Sequence, residues 1–280
     1  RSVVWQIAKD CTGRLDAREL AAKLIPESHD RIWSDAARAV LTACLIKLQS
    51  EQPGKWGWAD LRRAATQSAE QLRETAAQYY PEALHVLGEE DSKTSQSVLT
   101  TLQSHLYTVS ALSDAWPTSS ANGLSLDSWL NDPYQSPPLI LQYDGRYPDF
   151  SNAWIGAFIA TLSSIIASPA FEEDPNRRIW LFLDEFPQLN RMAHFSTLLD
   201  TGRSKGVCVV LGLQDIAQLR DRYGRDQADA WISMVGTHII TRMTLGRTAE
   251  EVCRLISTQK VEAQSRNRTY SRGDVSVNEG

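Results

Sequence analysis

Residues 177–189 read R-R-I-W-L-F-L-D-E-F-P-Q-L, and this stretch decides the fold. Five apolar residues in a row, Ile179 to Leu183, are typical of a strand that is buried on both faces of a parallel sheet. Two carboxylates, Asp184 and Glu185, follow at the carboxyl end of that strand. Open α/β sheets place their ligands at this end. The stretch therefore predicts an α/β fold with an acidic pair at its ligand-binding edge.

An apolar strand that ends in Asp-Glu matches the Walker B element of nucleotide-hydrolysing P-loop folds. In that element the first acid, here Asp184, holds the Mg²⁺ that bridges phosphate oxygens. The second acid, here Glu185, orients and deprotonates the attacking water. The motif is short, so the same residues also fit a strand that runs into a solvated acidic turn.

The composition bounds the class of protein. The chain has 280 residues, of which 42% are hydrophobic and 22% charged, as in an ordinary globular protein of one or two domains. No apolar run approaches the ~18 residues of a membrane span, and residues 1–10 show no signal-peptide pattern. The sequence enters an apolar run without a turn or cap, so we expect it to start within a domain. The net charge of −5 argues against a protein that coats nucleic acid non-specifically.

The cysteines and histidines do not suggest a metal centre. The four cysteines form no CxxC pair, and the five histidines form no HxxxH or HExxH cluster. We therefore expect reduced structural thiols. The cysteines are Cys11, Cys44, Cys208 and Cys253.

The chain divides into four parts by its sequence texture. Residues 1–11 are a short apolar start, and residues 12–130 have apolar positions at three- and four-residue spacing, which predicts an all-α domain. Residues 131–257 alternate predicted strands with helices, which is typical of a parallel sheet covered on both faces. Residues 258–280 are polar and predict a tail or edge segment. The predicted strands of the third part are Leu139–Tyr143, 177–183, Val207–Leu213 and His238–Met243.

A glutamine follows the strand that comes after the acidic pair. Residues 207–213 read V-C-V-V-L-G-L and lead into Gln214. In the P-loop branch that uses a catalytic glutamate, a polar residue at this strand tip can touch the γ-phosphate or the water. We therefore predict that Gln214 is a sensor. A glutamine that caps a helix or faces solvent is the alternative.

An arginine precedes the same strand, within T-G-R-S-K-G. A guanidinium at Arg203, delivered from a neighbouring subunit, would neutralise the charge that develops on a transferred phosphoryl group. The alternative is a cation that interacts favourably with the carboxyl end of a helix.

No Walker A loop, GxxxxGK[ST], occurs in the sequence. Its Gly-Lys pair, Gly54-Lys55, precedes Trp56 within a helical region and offers no phosphate cradle. Either the loop lies upstream of residue 1 or this protein does not hydrolyse nucleotide. We expect the loop to lie upstream of residue 1.

Five segments together carry a family resemblance. The chain resembles conjugative coupling proteins of the TraD/TraG type, the ATPases that link DNA-processing complexes to type IV secretion channels. The resemblance covers nearly all of residues 1–257. The segments are WQIAKDC (5–11), LIPESHDRIWSDAARAVL (24–41), RRIWLFLDEFPQL (177–189), LLDTGRSKGVCVVLGLQDIAQLRDRYG (198–224) and THIITRM (237–243).

The resemblance implies a RecA-like P-loop motor domain, with residues 1–11 as its start and an inserted all-α domain. It also implies a hexameric ring that threads single-stranded DNA, a relaxase with accessory relaxosome proteins and channel components as partners, and a place on the cytoplasmic side of the bacterial inner membrane. By resemblance the ring hydrolyses ATP with Mg²⁺. Asp184 would be the Mg²⁺ carboxylate, Glu185 the catalytic one, Gln214 the sensor and Arg203 the finger. The family's membrane anchor, P-loop and long tail are absent from this sequence.

Two rival functions stay open. One is a related DNA-translocating motor of chromosome segregation or DNA packaging (FtsK-like), against which the large helical insertion before the Walker B strand speaks. The other is a docking module that hydrolyses no nucleotide and recruits a relaxase or adaptor through the helical domain. The sequence does not indicate the DNA specificity or the secretion system served.

Overall fold

The structure is a computed structural model. It describes residues 3–279 except 28–30, 88–91, 117–122, 133–136, 193–194, 242–248, 251, 254–265 and 272–273. The chain forms two compact units, Arg1–Leu213 and Gln214–Gly280.

The first unit opens with a short ladder that brackets a block of helices. Strand β1 (Val4–Trp5) leads into helix α1 (Ile7–Asp10), and β1 pairs in parallel with β2 (Gly123–Leu124). The chain therefore enters and leaves the helical block at one place, as an inserted domain must. The helices between the two strands are α2 (Arg14–Leu24), α3 (Arg31–Glu51), α4 (Trp58–Ala65), α5 (Ala69–Tyr79), α6 (Glu82–Leu87) and α7 (Lys93–Ala115), and α8 (Leu126–Asn131) follows β2.

Helix α3 is the centre of this block, because α2, α4, α5, α6 and α7 all pack against it. Its apolar residues recur every three or four positions and are buried, so their removal from water drives the packing. These residues include Val40, Leu41, Cys44, Leu45 and Leu48. The helices lie where the sequence pattern predicted a helical block, which β2 interrupts, and the domain limits 12 and 130 stay predictions.

A buried carboxylate ties the two ends of the block together. Asp10 is 6% exposed and accepts hydrogen bonds from the indole Nε1 of Trp5 (2.8 Å) and the hydroxyl of Ser125 (2.9 Å). It also accepts from the backbone amides of Leu126 (2.8 Å) and Asp127 (3.2 Å), so it caps α8 from across the chain. Because the amide donors of a helix's first turn have no partner within that helix, this carboxylate fixes α8 to the start of the chain.

Helix α9 (Pro148–Ala167) is the apolar helix of the α/β part. It is long and apolar enough to cross a membrane by length and composition, contrary to the expectation that no segment approaches this. Half of its most apolar stretch is buried within the protein, where it packs against α2, α7, α8 and α10 (Phe195–Thr201). The core helix of a globular domain meets the same test.

Two parallel strands carry the acidic edge. Strand β3 (Ile179–Leu183) pairs with β4 (Val207–Leu211), with Ile179 opposite Val207 and Leu183 opposite Leu211. The prediction that this strand is buried on both faces is wrong for this chain. Trp180 is 56% and Phe182 71% exposed, because the described residues cover only the opposite face of the pair.

Two other strand predictions fail. Residues 139–143 form no strand, and Ile140 is 90% exposed. Residues 238–241 form none either, with Ile239 86% exposed, and residues 242–243 lie outside the described ones. A strand exists only where another backbone completes its hydrogen-bond ladder, and no described residue pairs with these segments. Strand β4 also ends two residues before its predicted limit, at Leu211.

The second unit contains a helical corner and a hairpin. Helices α11 (Ile216–Tyr223) and α12 (Arg225–Met234) meet at Gly224, whose φ of 87° suits glycine. Strands β5 (Arg266–Ser271) and β6 (Asp274–Glu279) form an antiparallel ladder within the segment predicted as a polar tail or edge. Two polar runs can pair when their backbones complete one hydrogen-bond ladder, which composition alone does not reveal.

Candidate active site

Asp184 and Glu185 occupy the turn that ends β3. The amide of Gly212, the residue after β4, donates to the carbonyl of Leu183 (2.9 Å), which extends the ladder by one bond. The carbonyl of Gly212 accepts from the amide of Phe186 (3.2 Å) on the far side of the acidic pair. Gly212, which directly follows β4, therefore holds the acidic turn at both of its ends. This places both carboxylates at the carboxyl edge of the sheet, as predicted.

Gly212 also makes room for the first carboxylate. A Cβ built at this position would lie 2.7 Å from Oδ1 of Asp184, closer than real Cβ atoms approach such an oxygen. A glycine is therefore the residue that lets the Asp184 carboxylate lie against the end of β4, where its side chain is exposed. An exposed carboxylate that lies against the backbone of a neighbouring strand suits Mg²⁺. This ion binds one or two protein carboxylates and completes its coordination shell with water and phosphate oxygens.

The backbone of Glu185 is strained. Its φ of 49° and ψ of 41° lie in the left-handed region. Among the described residues, Glu185 is the only one other than glycine with a positive φ. Its amide donates to Oδ1 of Asp184 (3.1 Å), so the two acids are linked directly. A residue in this region costs about 1 kcal/mol or more and persists where its surroundings determine it. Strained residues of this kind cluster at functional sites, so the strain singles out Glu185 as a candidate functional residue of the turn.

A residue that the sequence analysis did not select holds Glu185 from the other side. The side-chain amide Nε2 of Gln188 donates to Oε2 of Glu185, and the backbone amide of Gln188 donates to the carbonyl of Glu185 (2.9 Å). Both bonds belong to the 3₁₀ turn Phe186–Gln188. The signal in the sequence was the spacing of three in D-E-F-P-Q, which places these two side chains on one side of such a turn.

Arg203 lies at the opposite end of the strand pair. Its turn ends in Gly206, whose carbonyl accepts from the amide of Ile179 (2.9 Å) at the start of β3. A strand of five residues spans roughly 16 Å. Within one chain the exposed Arg203 and Asp184 are thus at opposite edges of the sheet. A finger role for Arg203 toward this pair requires a second chain.

Gln214 is the first residue of the second unit, so its approach to Asp184 stays a prediction. The alternative that it caps a helix does not agree with the structure. The cap of α11 is Asp215, whose Oδ1 accepts from the amide of Ala217 (2.8 Å).

No group of three or more His, Cys, Asp or Glu side chains that could hold a metal exists in the part of the chain that the structure describes. A cation held by Asp184 would therefore take most of its ligands from water or from a bound substrate. Burial raises the pKa of the Cys11 and Cys44 thiols to about 12, which keeps both protonated and unreactive.

Comparison with known families gives one match over almost the whole chain. The family is described as type IV secretion-system coupling protein DNA-binding domain, and its profile matches residues 1–278.

Two curated proteins are similar in sequence. Coupling protein TraD of Escherichia coli (strain K12) is 24% identical over 258 residues, which are 89% of this chain and 35% of that protein. A probable conjugal transfer protein TraG of Sinorhizobium fredii (strain NBRC 101917 / NGR234) is 30% identical over 94 residues, 33% of this chain and 15% of that protein. The chain therefore spans about a third or less of the length of these relatives.

Solved structures show the same fold. The bacterial conjugative coupling protein TrwBdeltaN70 in its unbound form is 22% identical with a TM-score of 0.69, and the match covers 100% of this chain and 63% of that one. TrwB in complex with ADP and Mg²⁺ is 24% identical with a TM-score of 0.66, over 84% of this chain and 54% of that one. The match confirms a RecA-like α/β motor fold with a helical domain.

Proposed function

This chain belongs to the family of type IV secretion-system coupling proteins, and on that premise we propose that its α/β part hydrolyses ATP to drive DNA transfer. The observation that carries the proposal is the acidic turn at the carboxyl end of β3. There Asp184 lies in the cradle of Gly212, and Glu185 is held in a strained backbone by Gln188.

In the proposed reaction ATP is the substrate, and Asp184 would hold Mg²⁺. A bound Mg²⁺ would supply positive charge beside the phosphate oxygens. Glu185 accepts a proton from the attacking water, and Gln214 senses the γ-phosphate. This sequence has no GxxxxGK[ST], so the proposed reaction requires a phosphate-binding loop in addition to the residues of this chain.

The proposed assembly is a homo-hexamer on the cytoplasmic side of the bacterial inner membrane. It would pass single-stranded DNA, with attached relaxase, from the relaxosome proteins to the type IV secretion channel. Two observations support an assembly in which further polypeptide contacts the residues of this chain. The rings of Trp180 and Phe182 stack 5.9 Å apart on an exposed sheet face, and Arg203 lies at the opposite end of the strand pair from Asp184 and Glu185.

Replacing Asp184 tests the Mg²⁺ assignment. In a protein that joins these residues to a phosphate-binding loop, we expect Asp184→Asn to weaken MgATP binding by about tenfold or more, because the amide lacks the charge that holds the ion. Binding of ATP with EDTA present should change little. Calorimetric titration with and without Mg²⁺ measures both.

The control for this experiment is Asp132→Asn, which makes the same change at an exposed acid at the end of α8. If Asp184→Asn binds MgATP as tightly as the unsubstituted protein, Asp184 is not the Mg²⁺ ligand.

Arg203 should act between subunits. Arg203→Ala and Glu185→Gln subunits are each expected to be inactive alone. Mixed rings should regain part of the ATPase activity, because some junctions then pair an intact Arg203 with an intact Glu185. Turnover is measured across mixing ratios.

The mixing experiment requires that mixed rings form, which pull-down through a tag on one variant establishes. Arg18→Ala, the same exchange at an exposed arginine of α2, serves as the control substitution. Mixed rings without any recovery would leave Arg203 with the role of a cation at a helix carboxyl end.

A further inference from the structure

We propose that Gln188 is the residue that positions the catalytic carboxylate of Glu185, an inference that rests on the proposed ATPase function. Gln188 would contact neither ATP nor the attacking water molecule. It would act only through Glu185, by holding the carboxylate where it meets the attacking water.

The first step of the argument is the pair of hydrogen bonds between the two residues. The backbone amide of Gln188 donates to the carbonyl of Glu185 at 2.9 Å, and its side-chain amide donates to Oε2 of the same residue. One residue therefore fixes both the main chain and the side chain of Glu185. A hydrogen bond to a carboxylate is stronger than one between neutral groups, so it restricts the rotamers of this long side chain.

The second step is that Gln188 is itself held. The turn that carries it begins with Phe186, which is fully buried and lies 4.5 Å from the ring of Phe195, and continues with buried Pro187. Just beyond the turn, the amide of Asn190 donates to Oδ1 of Asn152 on α9 (2.8 Å). Gln188 therefore projects from a segment anchored on both sides, as a positioning residue must.

The third step is the strain of Glu185. The left-handed conformation of Glu185 is strained, so contacts with neighbouring residues must maintain it. Hydrogen bonds with Asp184 and with Gln188 are two of these contacts. Loss of the Gln188 side-chain bond would remove one restraint on the carboxylate and widen the range of positions that it takes relative to the attacking water. A displacement of about 1 Å in a general base can reduce turnover by up to ~10²-fold.

The test is Gln188→Met in a protein that joins these residues to a phosphate-binding loop. Methionine keeps the length and volume of glutamine but donates no hydrogen bond. We expect kcat to fall by roughly tenfold while KM for MgATP stays within twofold, because only the placement of the base changes. Gln188→Asn, whose amide is one methylene too short to reach, should lose a similar factor. Urea unfolding of each variant shows whether the fold is retained.

A double substitution separates positioning from a structural role. In a Glu185→Gln background, Gln188→Met should change the residual turnover by less than twofold, because the carboxylate that it positions is gone. A purely structural contribution would add to the loss in both backgrounds. Gln96→Met, at an exposed position of α7, is the matched control and should change neither constant.

The outcomes distinguish this inference from the function on which it rests. An unsubstituted protein without ATPase activity overturns the proposed function and this inference with it. A fully active Glu185→Gln leaves ATP hydrolysis in place but shows that Glu185 is not the base, which overturns this inference. If activity depends on Glu185 but both Gln188 variants stay within twofold of the unsubstituted kcat, only the positioning role is overturned. An increase in kcat would also overturn it, since Gln188 would then restrain the base. Additive losses in the double variant would do the same.

Discussion

Glu185→Gln should reduce ATP turnover by about 10²-fold or more in a protein that joins this chain's residues to a phosphate-binding loop. The amide keeps the size of the side chain but cannot accept the proton of the attacking water. Binding of MgATP should stay largely intact, because Asp184 and the phosphate-binding loop would supply the ground-state contacts. Steady-state kinetics gives the turnover, and calorimetric titration gives the binding constant.

The matched control is Glu173→Gln, the same exchange at an exposed glutamate in the loop before β3. It should leave both quantities unchanged. Near-normal turnover in Glu185→Gln would show that this acid is not the base. ATP hydrolysis would then depend on another base. Absence of turnover in the unsubstituted protein is the result that would favour the docking function left open by the sequence.

Asp10→Ala should cause the largest loss of stability, about 3 kcal/mol or more. The substitution leaves four donors in a buried site without their acceptor, namely the indole of Trp5, the hydroxyl of Ser125 and the amides of Leu126 and Asp127. It also releases α8 from the start of the chain. Urea unfolding of residues 1–280, followed by tryptophan fluorescence, measures the loss.

Asp132→Ala is the control for this substitution, because it removes an exposed carboxylate from the other end of α8 and should change stability by less than about 0.5 kcal/mol. Asp10→Asn should fall between the two, since one amide oxygen can satisfy only part of the donor set. A loss below about 1 kcal/mol for Asp10→Ala would mean that water replaces the carboxylate and that the two ends of the helical block are not tied by it.

The local sequence alone determined several features of this protein. The run Ile179 to Leu183 is a strand that ends at the predicted residue and starts two residues after the predicted limit of 177, since five apolar residues between charged and turn-forming ones leave few other structures. The Asp184–Glu185 pair directly follows this strand in the sequence, so it lies at the carboxyl end of the strand. Open parallel sheets bind their ligands at this end. The helical pattern before residue 130 and the family resemblance are also properties of local sequence, and both the fold class and the family are confirmed.

Only the tertiary structure decided the features that depend on residues distant in sequence. Asp10 meets Ser125 and Leu126 across more than a hundred residues, and no local pattern encodes such a contact. Whether a run of apolar residues is a strand depends on a second backbone, which is why β3 formed and residues 139–143 did not.

The same reason applies to the site. The separation of Arg203 from Asp184 follows from the parallel register of β3 and β4, and the hold of Gln188 on Glu185 follows from a left-handed residue that sequence does not reveal. Local sequence specifies which groups are available and the structure each short segment prefers. Their distances are set by hydrogen-bond ladders and buried contacts between segments, and these exist only in the folded chain.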